Sequence, residues 1–234
     1  MADTGTTWHP DVPETYRNTV VTGDCRQLVG ALPDASVDLI LCDPVYNEVW
    51  QYAWLVVVGE RLLRPCGSII AECGSIHRFA AECAMHEAAQ GTRLIHRPIL
   101  NELFTGGFTY IHMHRTHRAC NHMLWFEADG IRPGRGCPRT AFWGSKDKSR
   151  HVWGDGERSF AQLVEWFTQP GDTVLDPFAG GATVPAVCRA RGRNVIGFEI
   201  NPESACAGRA RMRDVHPLFM PPTASQPAAL LEMP

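Results

Sequence analysis

Short apolar runs closed by turn residues dominate both ends of the chain, and helical periods separate them. Thr19-Val20-Val21-Thr22 predicts a strand ending at Gly23-Asp24, and Cys25 to Leu32 a helical turn or two. Pro33-Asp34-Ala35-Ser36 is a turn signal, after which Val37-Asp38-Leu39-Ile40-Leu41-Cys42 predicts a buried strand closed by Asp43. A helix follows over Val49 to Leu63, stopped by Pro65 and Gly67, then a strand over Ser68 to Ala71 and a helix over His77 to Gln90. The pattern then changes: Leu94 to Leu103, Thr109 to Met113 and His122 to Phe126 read as strands without a long helix between them, and Gly130 to Ser149 as loop. Alternation resumes with a helix over Ser159 to Thr168, a strand over Thr173 to Asp176, a helix from Thr183 to Arg191 and a strand over Asn194 to Ile200. A last helix, Pro202 to Arg213, opens with Asn201 as N-cap and Pro202 at its first position. Strand–helix alternation of this kind predicts an α/β fold with a parallel sheet. The proline-bearing stretch 216–234 is expected to be a flexible tail.

The 234 residues, 44% of them hydrophobic, suit one domain with an ample core. Met1 to Glu14 is polar and contains proline, unlike a signal peptide, and no apolar stretch approaches the roughly 18 residues of a membrane span. Nine cysteines without a CxxC pair are expected to be reduced thiols of a cytoplasmic protein. The net charge of -3 conceals an asymmetry. Residues 91–150 hold ten Lys or Arg against four acids, and the rest of the chain twelve against twenty-one. A basic segment in an acidic protein suggests a polyanionic partner; a solvated arginine-rich loop is the plain alternative.

Two acidic turns carry the chemistry. In open α/β sheets ligands bind at the carboxyl ends of strands, so Asp43-Pro44-Val45-Tyr46 and Asp176-Pro177-Phe178-Ala179-Gly180-Gly181 could face one crevice. The second is a glycine-rich turn between strand and helix, where backbone can approach a ligand and free N–H groups are exposed. Glu199, 23 residues beyond Asp176, closes the next strand, a placement suited to ribose hydroxyls. That much fits NAD as well as S-adenosylmethionine. The turn has no G-x-G-x-x-G fingerprint, and a carboxylate suits an ammonium better than a pyrophosphate.

Together these motifs resemble the amino-group DNA methyltransferases. The catalytic-type motif comes first, the circularly permuted order of the β class. The resemblance implies a Rossmann-like S-adenosylmethionine-dependent methyltransferase fold, circularly permuted, with residues 19–90 and 151–215 as catalytic domain and 91–150 as an inserted target-recognition region. It implies a cofactor site of Asp24, Cys25, Asp176, Pro177, Phe178, Gly180, Thr183 and Glu199, with Asp24 accepting from the adenine amine of the cofactor. The turn departs from the family pattern at Ala182, where glycine is usual, and at Val184, where threonine is common.

Asp43, Pro44 and Tyr46 match the family's catalytic motif, which has a second proline where this chain has Val45. An exocyclic base amine is a poor nucleophile because its lone pair is delocalised. The Asp43 carboxylate and the Pro44 carbonyl would accept its two N–H bonds, and Tyr46 would stack on a base flipped out of the duplex. No nucleophilic cysteine is needed, so Cys42 and its fellows are expected to be structural. The basic residues Arg115, Arg118, Arg132, Arg135, Arg139, Lys146 and Lys148 would contact double-stranded DNA. Trp125, Trp143 and Trp153 are expected in the core, and His151-Val152-Trp153 resembles a His-Pro-Trp element of relatives. The cluster His112, His114, His117, Cys120, His122 matches no zinc module, and no metal is expected.

The function implied is methylation of adenine N6 in DNA by a stand-alone enzyme of the restriction–modification kind, since Asp at position 43 favours adenine. N4-cytosine is the alternative, and RNA or a small molecule a further one. A relative that binds nucleic acid but has lost catalysis is the alternative of another class. Many relatives dimerise, so a homodimer stays open.

Overall fold

The computed structural model of the chain describes residues 8–104, 109–111, 116–130, 138–144 and 157–215. The first half runs β1 (Thr19–Thr22), α1 (Cys25–Leu28), β2 (Val37–Cys42), α2 (Val49–Leu62), β3 (Leu63–Cys73) and α3 (Arg78–Ala88). Among the described residues the middle holds strands: β4 (Leu94–His96), β5 (Leu100–Phe104), β6 (Thr109–Ile111), β7 (Thr116–Arg118), β8 (Cys120–Ala128) and β9 (Ala141–Gly144). The last part runs α4 (Glu157–Phe167), β10 (Thr173–Asp176), α5 (Thr183–Ala190), β11 (Asn194–Glu199) and α6 (Pro202–Arg213).

Nine strands form one sheet in the order β1-β11-β10-β2-β3-β8-β5-β9, with β4 also paired to β8. The stretch from β1 to β3 is parallel. Its strands are apolar on both faces, as burial of every residue of β2 illustrates, because helices cover both sides. Tyr52, Leu55 and Leu62 of α2 and Met85 of α3 pack on one face. Phe160, Leu163 and Phe167 of α4 and Val187 of α5 pack on the other. Within β2, buried Asp38 accepts from Arg64 Nη1 at 3.0 Å and from the Thr173 N–H at 2.9 Å, tying β2 to its neighbours.

The fold is the α/β fold expected, and most predicted elements form within a residue or two. Three do not. The strand expected over Leu94 to Leu103 is two, β4 and β5, broken where Pro98 has no N–H to give and Arg97 turns its own to the Trp125 carbonyl at 2.8 Å. β3 begins at Leu63, not Ser68, and carries Pro65 and Gly67 past a register shift opposite Val37 and Leu39, where a strand tolerates them. β9 lies inside the expected loop: Phe142 is buried between exposed Ala141 and Trp143, and the strand pairs in parallel with β5. Residues 91–150 therefore supply β4, β5, β8 and β9 to the main sheet. The tail at 216–234 lies outside the described residues. No helix among the described residues is long and apolar enough to cross a membrane.

Candidate active site

β1, β11, β10 and β2 stand side by side in the sheet, so the loops after their carboxyl ends are neighbours. They enclose a cleft of about 340 Å³. Of the residues singled out in the sequence, Asp24, Cys25, Asp43, Pro177, Phe178, Gly180 and Glu199 line it; Arg26, Val45, Trp50 and Gln51 share the wall. Four loops distant in sequence thus meet at the point where the strand order reverses, between β10 and β2.

On the β10 side, Asp176 is 3% exposed and accepts from the Phe178 N–H at 3.1 Å. Burial pushes its carboxyl up to about 8; the Phe178 N–H opposes that and nearby Glu199 adds to it. Glu199 uses both oxygens on backbone: Oε2 accepts from Gly180 N at 2.8 Å, Oε1 from Asn201 N at 2.7 Å. It clamps the glycine turn to the loop that opens α6. The turn needs that help, because Ala182, the N-cap of α5, is left-handed at φ 60° and ψ 40°. Such a backbone costs a residue with a Cβ about 1–3 kcal/mol. The Ala182 methyl is wholly buried, in space that α6 leaves open: a Cβ on Gly208 would lie 3.0 Å from it. Thr183 is turned away from the cleft, its Oγ1 accepting from Arg211 Nη1 at 2.9 Å.

On the β1 side, Asp24 caps α1 by accepting from Arg26 N at 2.9 Å. Its carboxylate also meets the Arg26 guanidinium at 2.5 Å, and the Arg26 side chain holds the acid below the usual carboxylate range. That guanidinium lies 5.3 Å from the Trp50 ring centre, closing the rim. The Cys25 thiol is pushed up to about 11, first by burial and then by Asp24. Burial, then Asp176 and Asp43, raise Cys42 further. Both thiols are protonated at neutral pH, so neither is a ready nucleophile.

The β2 turn is held from several sides. Pro44 is buried and Val45 is 56% exposed. The Val45 N–H donates to Gln51 Oε1 at 2.9 Å, and the Val45 carbonyl accepts from Glu48 N at 2.9 Å. Tyr46 does not line the cleft. Its hydroxyl donates to Glu72 Oε1 at 2.8 Å, and its ring covers Gly74, where a Cβ would come within 2.5 Å. Behind it runs a buried polar chain: Asn121 Nδ2 donates to Glu72 Oε1 and to Glu102 Oε2, and Ser159 Oγ donates to Glu102 Oε1.

The sequence singled out Asp24, Asp43, Asp176 and Glu199 but missed Gln51 and Glu72. Glu72 carried the same signal as Asp43: an acid near the end of an apolar run, here Ser68 to Ala71. Of the basic residues assigned to DNA, Arg118 sits with its guanidinium 5.3 Å from the Phe104 ring centre, and Arg139 is exposed. Arg115, Arg132, Arg135, Lys146 and Lys148 lie outside the described residues, as do His112, His114, His151 and Trp153. Trp125 packs edge-on against Phe167 at 5.0 Å, as a core residue should, but Trp143 is 56% exposed, against expectation. Its β9 position faces outward, one place from buried Phe142. His122 is engaged by Asn101 Oδ1 at 2.9 Å and Ser75 Oγ at 3.4 Å. A second cluster joins Glu82 and His86 of α3 to His96 of β4 beside Phe126.

Comparison with known proteins finds DNA methyltransferases. A family model of DNA methylases, that of the N6/N4 methyltransferases, matches residues 135–207. The type II methyltransferase M.HinfI of Haemophilus influenzae is 22% identical across 86% of this chain and 70% of its own length. The structure superposes on the M1.HpyAVI–SAM complex with a TM-score of 0.66 at 18% identity, covering 83% of this chain and 98% of that one. On the cytosine-N4-specific PvuII DNA methyltransferase it gives 0.70 at 18% identity, covering 82% and 85%. The chain is similar in sequence to N6/N4 DNA methyltransferases and shares their fold.

Proposed function

We propose that this protein transfers the methyl group of S-adenosylmethionine to an exocyclic amine of a base in double-stranded DNA, with adenine N6 as the target. The carrying observation is that Asp43 and the turn after Asp176 flank one cleft from adjacent parallel strands. The cofactor would lie across β10, β11 and β1. The glycine turn would receive its methionine end over Asp176, Glu199 its ribose, and Asp24 its adenine. The sulfonium and ammonium suit a wall that carries three acids, Asp24, Asp43 and Glu199, with buried Asp176 close by. The target base would leave the stack and present its amine to Asp43 and the Pro44 carbonyl. Those two acceptors draw the lone pair out of conjugation and aim it at the methyl carbon. The C–N bond forms as the S–C bond breaks, and the surplus amine proton leaves through Asp43 to solvent. Protonated Cys25 and Cys42 support direct transfer without a covalent enzyme intermediate.

N4-cytosine is the second reading, favoured by the likeness to a cytosine-N4-specific fold. Nucleoside mass spectrometry decides, on DNA from a methylation-free host expressing the protein. N6-methyladenine is expected, and it should vanish with Asp43→Ala while calorimetry still shows cofactor binding. N4-methylcytosine would overturn the choice of base, and turnover retained in Asp43→Ala would overturn the role of Asp43.

A further inference from the structure

The turn that carries Asp43 and Pro44 is tethered near its middle by a side chain from the next helix. Gln51, in the first turn of α2, is only 8% exposed and lines the same cleft as Asp43. Its Oε1 accepts from the Val45 N–H at 2.9 Å. That N–H and the Pro44 carbonyl belong to one peptide unit, which is planar and holds the two dipoles in opposite directions. No cis peptide occurs among the described residues. Fixing the N–H therefore fixes the direction of the carbonyl. The Gln51 backbone N–H is in turn held by the Glu48 carbonyl at 2.9 Å, and Glu48 N by the Val45 carbonyl, so the tether is short and anchored in the helix start.

We infer that Gln51 is a positioning residue for methyl transfer: through the Val45 N–H it aims the Pro44 carbonyl at the amine of the target base. This rests on the function proposed above. The Pro44 ring fixes its own φ but leaves its ψ free, and ψ is the torsion that swings this carbonyl. Position 45 is exposed and has no ring of its own, so the Gln51 amide supplies the constraint.

The test compares Gln51→Leu, Gln51→Glu and the double variant Gln51→Leu/Val45→Pro. Leucine keeps the volume and removes the acceptor. Glutamate keeps an acceptor oxygen. Proline at 45 removes the N–H that needs one and stiffens the chain. Gln51→Leu is expected to lower kcat about tenfold, the worth of one such hydrogen bond, with cofactor affinity by calorimetry and KM for DNA unchanged. Gln51→Glu and the double variant should each recover most of the loss. Amide exchange at Val45, read by NMR on the same proteins, should be slow in the wild type and fast in Gln51→Leu. Wild-type kcat in Gln51→Leu overturns the inference, as does an equal loss in the double variant or unchanged Val45 exchange. A wild-type protein that methylates nothing would sink the proposed function instead, and the exchange measurement would still report whether Gln51 holds the turn.

Discussion

Replacing Asp176 by asparagine should stabilise the protein, and the gain should grow with pH. Burial raises the carboxyl from 3.8 to about 8 in the folded chain, whereas the unfolded chain titrates near the ordinary value. A carboxyl raised in this way contributes stability below pH 4 that is lost as pH climbs, and all of it is gone above the folded value. The slope is ~1.4 kcal/mol per pH unit, and the whole span amounts to roughly 6 kcal/mol. Asparagine does not titrate, and its Oδ1 can still accept the Phe178 N–H that Asp176 now holds at 3.1 Å. Urea unfolding of both proteins from about pH 5 to about pH 9 measures the difference. The advantage of Asp176→Asn should widen by roughly 1.4 kcal/mol per unit up to about pH 8 and then level off. A difference that stays constant over that range would refute the reasoning, because it would mean that Asp176 ionises alike in both states. A bound ammonium stabilises the ionised carboxylate, so saturating S-adenosylmethionine should flatten the wild-type curve, while the variant should bind it more weakly.

Gly74→Ala should push the Tyr46 ring off its seat, since the new methyl would lie 2.5 Å from a ring carbon. That breaks the Tyr46–Glu72 bond, and kcat should fall about tenfold with cofactor affinity spared; unchanged kcat would show that Tyr46 need not be held. His96 is lowered from its ordinary value by burial and then by His86. The stability its neutral form contributes is therefore present above about pH 6.5 and lost as pH falls through the lower folded value. His96→Gln should reduce the drop in thermal midpoint between about pH 7 and about pH 5, and an undiminished drop would clear His96 of it.

Legibility in the sequence followed range. Buried parallel strands announce themselves as apolar runs, and an acid closing such a run marks a strand end at a ligand-binding edge. Asp43, Asp176 and Glu199 could be found that way without knowing which strands adjoin. The glycine turn was legible for the same local reason. What escaped depended on partners far along the chain. β9 is four residues long, and its register is set by β5, some forty positions earlier. Gln51 looks like any polar residue in a helix until its amide is seen to meet Val45. Glu102 and Asn121 lie in a stretch of weak strands, and only the sheet brings them behind Tyr46. Trp143 went the other way: a large aromatic residue is usually core, but a single-residue alternation put it on the outer face.

The contact between Ala182 and Gly208 bears on the order in which this sequence could have changed. An alanine in a left-handed position is tolerated here with its methyl pressed toward a bare α-carbon on α6. A side chain at 208 would start 3.0 Å from that methyl, tighter than ordinary contact, so one of the two must give by a few tenths of an ångström next to a turn that Glu199 clamps. The two sites are therefore epistatic. A lineage passing through alanine at 182 disfavours side chains at 208, and glycine at 182 relieves that crowding. Homologues with a larger residue at the position of Gly208 should carry glycine at that of Ala182, so the pairing can be sought wherever this turn recurs.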